Sequence, residues 1–345
     1  MIDGHLRRQL RRPHRWLAQR FRPRAAVLMY HGIGRVGIDP WGLFVSPENF
    51  AQHLRVLNEL TNPTTLDGLS VAASGGRPVD RAVAVTFDDG YANVLHEAEP
   101  ILAANGVPAT LFVISDPVAS ASEYWWDELA GLILVPGSLP DRLHLEGPGV
   151  RIRLDTGPAA HYDEAGWQRD HDYRDEEGPA SPRMQLYRTL WAHLAKLEEY
   201  SRQKALDALA DSIGRARAPR DSHRSLTLDE LVRLDGDVVS IGGHTSTHPL
   251  LPEIDPARQR VEVEGNRAFL RDVLDRHITS FSYPFGANDP SSVEAVRAAG
   301  YPLAVTTRPE TVPAGVDPLR IGRFDVKDWT GQEFERRLRS WFRFR

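Results

Sequence analysis

The sequence predicts an α/β protein built on a mainly parallel sheet or barrel. Two observations carry this reading. Short apolar, often β-branched runs recur from Ala25 onward, and amphipathic stretches with helix start and stop signals lie between them. At 345 residues the chain exceeds the length at which one hydrophobic core usually stops growing, about 250–300 residues. One large domain carrying insertions, or two domains, is therefore expected.

The predicted strands are Ala25 to Tyr30, Ala82 to Phe87, Ala109 to Ile114, Val238 to Ile241, Thr279 to Tyr283 and Leu303 to Thr306. A helix is expected from Pro47 to Leu60, with Ser46 as N-cap and Phe50, Leu54 and Leu57 at helical spacing. A second runs from Tyr91 to Asn105 and stops at Gly106. Pro256 to His277 and Pro290 to Ala299 each open on a proline in the first turn, and Gly300 ends the latter. The alternation breaks between about residues 121 and 225, which reads as a long, mainly helical insertion. It starts with a helix at Tyr124 to Leu129 and includes another from Arg183 to about Arg215. The remaining organisation is a basic segment over residues 1–24, a main domain over 25–330 and a basic C-terminal helix over 331–345. In folds of this kind chemistry sits at the carboxyl ends of strands.

Composition excludes several classes. With no cysteine, the chain has no disulfide, iron–sulfur cluster, thiolate metal site or cysteine nucleophile, so a metal site must use His, Asp or Glu. The longest apolar stretch, Leu129 to Val135, is far shorter than the ~20 residues of a membrane-spanning helix. The net charge of −5 is unevenly placed. Residues 1–24 carry +7 and residues 334–345 carry +4, which leaves −16 for the body. The N-terminal segment scatters Leu6, Leu10, Trp16, Leu17 and Phe21 among its arginines and lacks the apolar core of a secretory signal. A cytoplasmic protein is therefore expected, with peripheral association of its basic ends with an anionic membrane surface at the inner face as a further expectation. The acidic body argues against nucleic acid as a partner.

Two constellations carry chemistry. Thr86-Phe87-Asp88-Asp89-Gly90 sets adjacent carboxylates where an apolar strand enters a glycine turn, pointing them in different directions. One can serve a metal and the other a reacting water; in isolation the pair also reads as a capping turn. Gly242-Gly243-His244-Thr245-Ser246-Thr247-His248-Pro249 sets two histidines four apart in a loop after another strand. Asp89, His244 and His248 would leave coordination positions open for water and substrate, as a catalytic metal requires. Thr245, between the histidines, suits either a substrate contact or a loop bond.

Thr-Phe-Asp-Asp-Gly followed much later by His-Thr-x-x-His resembles the polysaccharide deacetylase family, whose catalytic module is the NodB homology domain. The resemblance covers roughly residues 25–120 and 226–324. Val27-Leu28-Met29-Tyr30-His31-Gly32 and Phe281-Ser282-Tyr283-Pro284-Phe285-Gly286 resemble members acting in bacterial polysaccharide and envelope glycan biosynthesis. The resemblance implies a distorted, incomplete (β/α) barrel and a metal-dependent hydrolase that removes the N-acetyl group from an N-acetylated amino sugar; docking of the basic ends to anionic lipid would make a lipid-linked saccharide precursor the attractive substrate. The resemblance assigns Asp89, His244 and His248 to the metal, most readily zinc with cobalt, manganese or iron as alternatives, and Asp88 to the catalytic base. The backbone N–H of Phe285 is implied as an oxyanion donor.

Two departures follow from the same resemblance. The family carries an arginine two residues before its Pro-aromatic-Gly, where this chain has Ser282; Arg320 or Arg323 can substitute. The family's Leu-x-His general acid has no counterpart after His277, which leaves His31 as candidate for that role. Asp325-Val326-Lys327-Asp328-Trp329 resembles the family's Asp-x-x-Asp-Trp element, and otherwise reads as a turn capping the last helix. These departures keep open a catalytically impaired carbohydrate-binding or regulatory module on the same fold. A His/His/carboxylate iron oxygenase is a third class, which the adjacent Asp88 fits less well. Trp125 and Trp126 are read either as a glycan-stacking pair or as core.

Overall fold

The apolar runs are strands, and the connections between them return the chain in the same direction each time. The computed structural model describes residues 25–69, 80–147, 149–172, 181–313 and 315–342. Strands β1 (Ala26–Tyr30), β2 (Ala82–Phe87), β3 (Ala109–Val113), β4 (Val239–Gly243), β5 (Ser280–Ser282), β6 (Leu303–Val305) and β7 (Phe324–Asp325) lie in spatial order β6-β5-β4-β3-β2-β1-β7. The pairings are parallel, and the two-residue strand Asn62–Pro63 adds to β2. β1, β2, β3, β5 and β6 are buried at every residue, as expected for parallel strands covered on both faces.

The sheet curls until its edges nearly meet. Thr306 donates its N–H to the Ile321 carbonyl (2.7 Å) and Ile321 donates to Ala304 (3.0 Å), while Phe324 and Asp325 pair with β1. One short stretch therefore touches both edges, first β6 and then β1. This split closing strand makes the distorted, incomplete (β/α) barrel that the family resemblance implies.

The main helices are α1 (Pro47–Leu60), α2 (Glu99–Asn105), α3 (Trp125–Ile133), α4 (Pro182–Leu194), α5 (Glu199–Ile213), α6 (Pro256–Leu274), α7 (Pro290–Ala298) and α8 (Gly331–Phe342). The helix expected from Tyr91 begins instead as a π-helical turn, Val94–Ala98, before α2. Pro100 has no N–H for the His96 carbonyl, so a regular ladder cannot run through this point. Gly106 ends α2 at φ +62. α6 stops at Leu274, three residues early, because Asp275 turns left-handed at φ +49. Ser46 is the N-cap residue of α1, but its hydroxyl donates to Asp328 (2.7 Å) instead of capping the helix.

The insertion differs from expectation in two respects. A hairpin, Arg142–Gly147 with Val150–Asp155, interrupts the helices, and the predicted helix from Arg183 is two helices, α4 and α5. Leu129, Leu143, Leu145, Tyr187, Leu190 and Leu206 form the centre of an insertion core that Tyr91 and Ile114 join to the barrel. Trp125 and Trp126 are buried in that core, so packing accounts for most of their surface.

At the other end of the chain, α8 buries Phe334, Leu338 and Phe342 against the barrel, and Arg336, Arg337 and Arg339 pair with Glu333 and Glu335. Among the described residues of this helix the apolar face is packed and the arginines are paired, so the structure lends the membrane expectation no support there. The basic segment 1–24, the other half of the membrane expectation, lies outside the described residues. No helix among the described residues is long and apolar enough to cross a membrane.

His53 ties three elements together. The Tyr30 hydroxyl on β1 lies 3.3 Å from its Nδ1, its Nε2 lies 2.7 Å from the Trp329 carbonyl, and its ring stacks on Phe334 of α8 at 4.3 Å. A neutral ring satisfies both bonds, with Nε2–H donating and Nδ1 accepting. Burial, the dominant effect, pushes His53 down to about 4. In the unfolded chain it titrates near 6.5. Between those values the unfolded state holds the extra proton, so stability falls as pH drops from about 6.5 toward 4 and then levels off. Urea unfolding at pH 7, 5 and 4 is expected to show His53→Gln losing about 2–3 kcal/mol less than wild type over that window. His223, pushed down to about 4 by its own burial, keeps part of the acid sensitivity in both proteins.

Candidate active site

The carboxyl ends of β2 and β4, neighbours across β3, bring the Asp-Asp and His-x-x-x-His motifs together. β2 runs apolar through Phe87 and then turns at Gly90, whose φ of +104 suits glycine. At that turn Asp88 and Asp89 diverge. Asp89 faces the histidines, with Oδ1 3.4 Å from His244 Nε2 and 3.7 Å from His248 Nε2. Asp88 faces the opposite side, toward Ser282 and Arg323.

Arg323 is fully buried just before β7 and is fixed by five acceptor atoms from four residues. Nη1 donates to Asp88 Oδ1 (2.7 Å) and Thr86 Oγ1 (3.1 Å), Nη2 to Asp88 Oδ2 (2.6 Å) and Ser282 Oγ (2.9 Å), and Nε to the Thr306 carbonyl (3.0 Å). The Ser282 hydroxyl donates in turn to Asp88 Oδ2 (3.3 Å). Burial alone would raise the Asp88 pKa, but the Arg323 charge, with His244 and the guanidinium hydrogen bonds, outweighs it. The carboxyl is held well below its usual range. Three of about four acceptor positions on this carboxylate are then occupied, and the open one is on Oδ1.

The histidine loop is built to aim Nε2 atoms. His244 Nδ1 lies 2.7 Å from the Ser282 carbonyl, which takes its proton and leaves the Nε2 lone pair facing Asp89. Thr245 donates its hydroxyl to the His244 carbonyl (2.5 Å) and accepts from His248 N–H (3.0 Å), so it stabilises the loop. Asn266 on α6 accepts from His244 N–H (3.1 Å) and donates to the Val113 and Thr245 carbonyls (3.0 and 2.7 Å). Four residues earlier, Glu262 accepts from the Ser246 and Thr247 N–H groups (3.1 and 2.9 Å). Gly243 permits this approach, since a Cβ there would lie 2.6 Å from Asn266 Oδ1 and 2.2 Å from the Tyr301 hydroxyl. Burial, with the neighbouring His244, pushes His248 down to about 3, which keeps it a neutral ligand.

Strain collects here. Asp89, Thr245, His248 and Phe285 hold φ between +57 and +74 although none is glycine. Phe285 follows β5 and lays its ring 4.6 Å from that of His248. His31 is half-buried at the end of β1, where its charge bears on Asp88, Asp89 and Asp39. A cleft of about 490 Å³ opens beside Thr247 and His248, bordered by Trp125, Trp126, Glu128, Gln203 and Arg217. The Asp89, His244 and His248 ligand atoms lie within 4.8 Å of one another. That spacing and the two oriented imidazoles fit a first-row divalent cation.

The family model for polysaccharide deacetylases matches residues 75–133 and 210–304, the two stretches that carry these motifs. The chain belongs to the polysaccharide deacetylase family. A curated Bacillus subtilis (strain 168) protein named "Putative polysaccharide deacetylase YxkH" is 28% identical over 113 residues, 33% of this chain and only 38% of that protein's length. Among solved structures, the Streptococcus pyogenes deacetylase PplD in complex with acetate superposes with TM-score 0.56 at 18% identity, over 91% of this chain and 97% of that one. IcaB from Ammonifex degensii gives TM-score 0.55 at 18% identity, over 93% and 97%. At these identities the superpositions establish the barrel fold.

As a deacetylase-family chain, the protein departs from the pattern where its sequence does. The guanidinium absent at Ser282 comes from Arg323, one of the two arginines proposed to replace it. Sequence order hid the choice, because only the split closing strand carries residue 323 back beside β2. The Asp325-to-Trp329 element does not reach the ligands through Asp328, whose carboxylate accepts from the Ser46 N–H and hydroxyl and from Asn49 (2.9, 2.7 and 2.7 Å). Asp328 anchors the first helix, while Trp329 of the same turn packs on Arg337 and Trp341 of the last. Asn266 and Glu262 escaped notice, although polar residues on the buried, one-turn-spaced face of a helix are a usable signal.

If the guanidinium has moved in this way, its position can be moved back. Arg323→Ser, which leaves Asp88 buried without its cation, is expected to lower stability by about 3–5 kcal/mol in urea unfolding. The double variant Ser282→Arg with Arg323→Ser is expected to recover a substantial part of that loss.

Proposed function

We propose that the protein is a metal-dependent de-N-acetylase that hydrolyses the acetamide of an N-acetylated amino sugar, free or carried on a saccharide or lipid-linked precursor. The observation that carries this reading is the division of labour between adjacent carboxylates. Asp89 faces the histidines, and Asp88 is kept ionised by Arg323 with one acceptor position open on Oδ1. In this reading residues 25–330 are the catalytic domain and 121–225 its insertion.

Asp89, His244 Nε2 and His248 Nε2 would hold the ion, most readily zinc, with cobalt, manganese or iron also suited to the donor set. A bound divalent ion supplies Lewis-acid polarisation of the amide carbonyl and lowers the pKa of bound water. Asp88 accepts the water proton at Oδ1, and the Arg323 charge fixes the carboxylate orientation. As the C–O bond forms, the backbone N–H of Phe285 stabilises the oxyanion. The C–N bond then breaks, and the leaving nitrogen takes a proton from His31 to give acetate and a free amine. His31 fits that role by its place at the end of β1, within electrostatic reach of both aspartates.

Metal analysis combined with acetate release from free, nucleotide-linked and lipid-linked N-acetylhexosamines tests the proposal. Asp88→Asn is expected to keep its metal and lose at least about 10²-fold in kcat, while His248→Ala loses both metal and activity. His31→Gln is expected to lower kcat with little change in metal content. Glycan binding without acetate release from any compound would favour the non-catalytic module.

A further inference from the structure

The insertion reaches the site with aromatic side chains that the reaction does not use: Trp126 lies 5.0 Å from the His248 ring, and Trp191 lies beyond Phe285. Trp191, in the last turn of α4, is half-buried. Trp125 stacks against it at 5.8 Å and 30°, and Trp41 leans on it at 5.1 Å. Trp41 is itself pinned, since its Nε1–H donates to the buried Tyr187 hydroxyl (2.8 Å). On the side toward the ligands, Trp191 meets the Phe285 ring edge-on at 5.8 Å, and Phe285 meets His248. An aromatic surface thus runs from a metal-ligand histidine through Phe285 to the insertion.

Packing alone does not explain this arrangement. Phe285 is 40% exposed, and its ring is presented by a left-handed backbone. That backbone is held because Gly286 lies where a Cβ would meet Thr307 at 2.1 Å, and because Thr307 donates to the Phe285 carbonyl (3.2 Å). A strained, exposed phenyl ring beside a half-buried indole suits a ligand that has its own apolar face. Pyranose rings have one, made of axial C–H groups, and they lie flat on such rings. Trp41 and Trp191 lie outside the stretches matched by the family model, residues 75–133 and 210–304. The surface is therefore built partly from elements that the family model does not span.

We propose that Trp191 is a specificity-determining residue that stacks the sugar next to the one being deacetylated, so that the enzyme selects an oligosaccharide over a single amino sugar. This rests on the deacetylase reading above. Its test compares wild type, Trp191→Ala and Trp191→Phe on N-acetylglucosamine and on its β-1,4- and β-1,6-linked pentamers. Trp191→Ala is expected to raise KM for at least one pentamer about five- to tenfold with kcat unchanged, to leave N-acetylglucosamine kinetics unaltered, and to be largely rescued by Trp191→Phe. Calorimetric binding of the pentamers to Asp88→Asn, with and without Trp191→Ala, reads the stacking apart from turnover. Unchanged pentamer binding, equal losses for monomer and pentamer, or no pentamer binding by either background would overturn the proposal. If no acetate is released but Trp191→Ala still weakens pentamer binding, the deacetylase reading fails and the stacking role stands.

Discussion

A carboxylate buried this deeply needs a cation, and the pairing of Asp88 with Arg323 is the contact on which the site depends. Both groups are buried, and each guanidinium nitrogen has a partner: Thr306 fixes the plane of Arg323, while Thr86 and Ser282 fill its remaining directions. Satisfying every donor separates a tolerable buried ion pair from a costly one. The same pair organises its surroundings. Ser282 contributes its hydroxyl to Asp88 and its carbonyl to His244, so both side chains are oriented from one residue of β5.

Much of the fold was legible because parallel strands buried on both faces read as unbroken apolar runs, and prolines and glycines punctuate the helices between them. The cluster of Asp88, Asp89, His244 and His248 was legible because these residues lie in two compact motifs at strand ends. Arg323 was less so. Its role depends on a three-dimensional neighbour, and Arg320 offered the same chemistry three residues away. The hairpin at 142–155 and the break between α4 and α5 were missed because insertion sequence answers to its own core and not to the barrel's repeat. The start of the helix after Tyr91 was misjudged because Pro100 acts on a hydrogen-bond ladder, which periodicity does not reveal.

The insertion resembles a second layer set on the barrel mouth. Tyr91 links the layers: its hydroxyl donates to Asp127 Oδ2 (2.6 Å) and accepts from Trp126 Nε1 (3.0 Å), while Tyr124 donates to the Asp89 carbonyl (2.9 Å). The turn that carries Asp89 is thus hydrogen-bonded to the element that frames the cleft. Changes in the insertion will be felt at Asp89 through these bonds, without any contact with a substrate.

The split closing strand also has a consequence for biosynthesis. Asp88 and Arg323 are separated by 235 positions, and Ser46 and Asp328 by 282. A ribosome that has released β1 to β6 has delivered nearly all the apolar surface of the barrel but not the cation for Asp88 or the clamp for α1. At that stage the nascent chain cannot bury the Asp88 carboxylate cheaply, so the mouth of the barrel stays wet and open to chaperones. Completion of the core and completion of the site then coincide in one late step, when residues 321 to 342 emerge, the first of them settling between the two sheet edges and the last packing Phe334, Leu338 and Phe342 against the barrel.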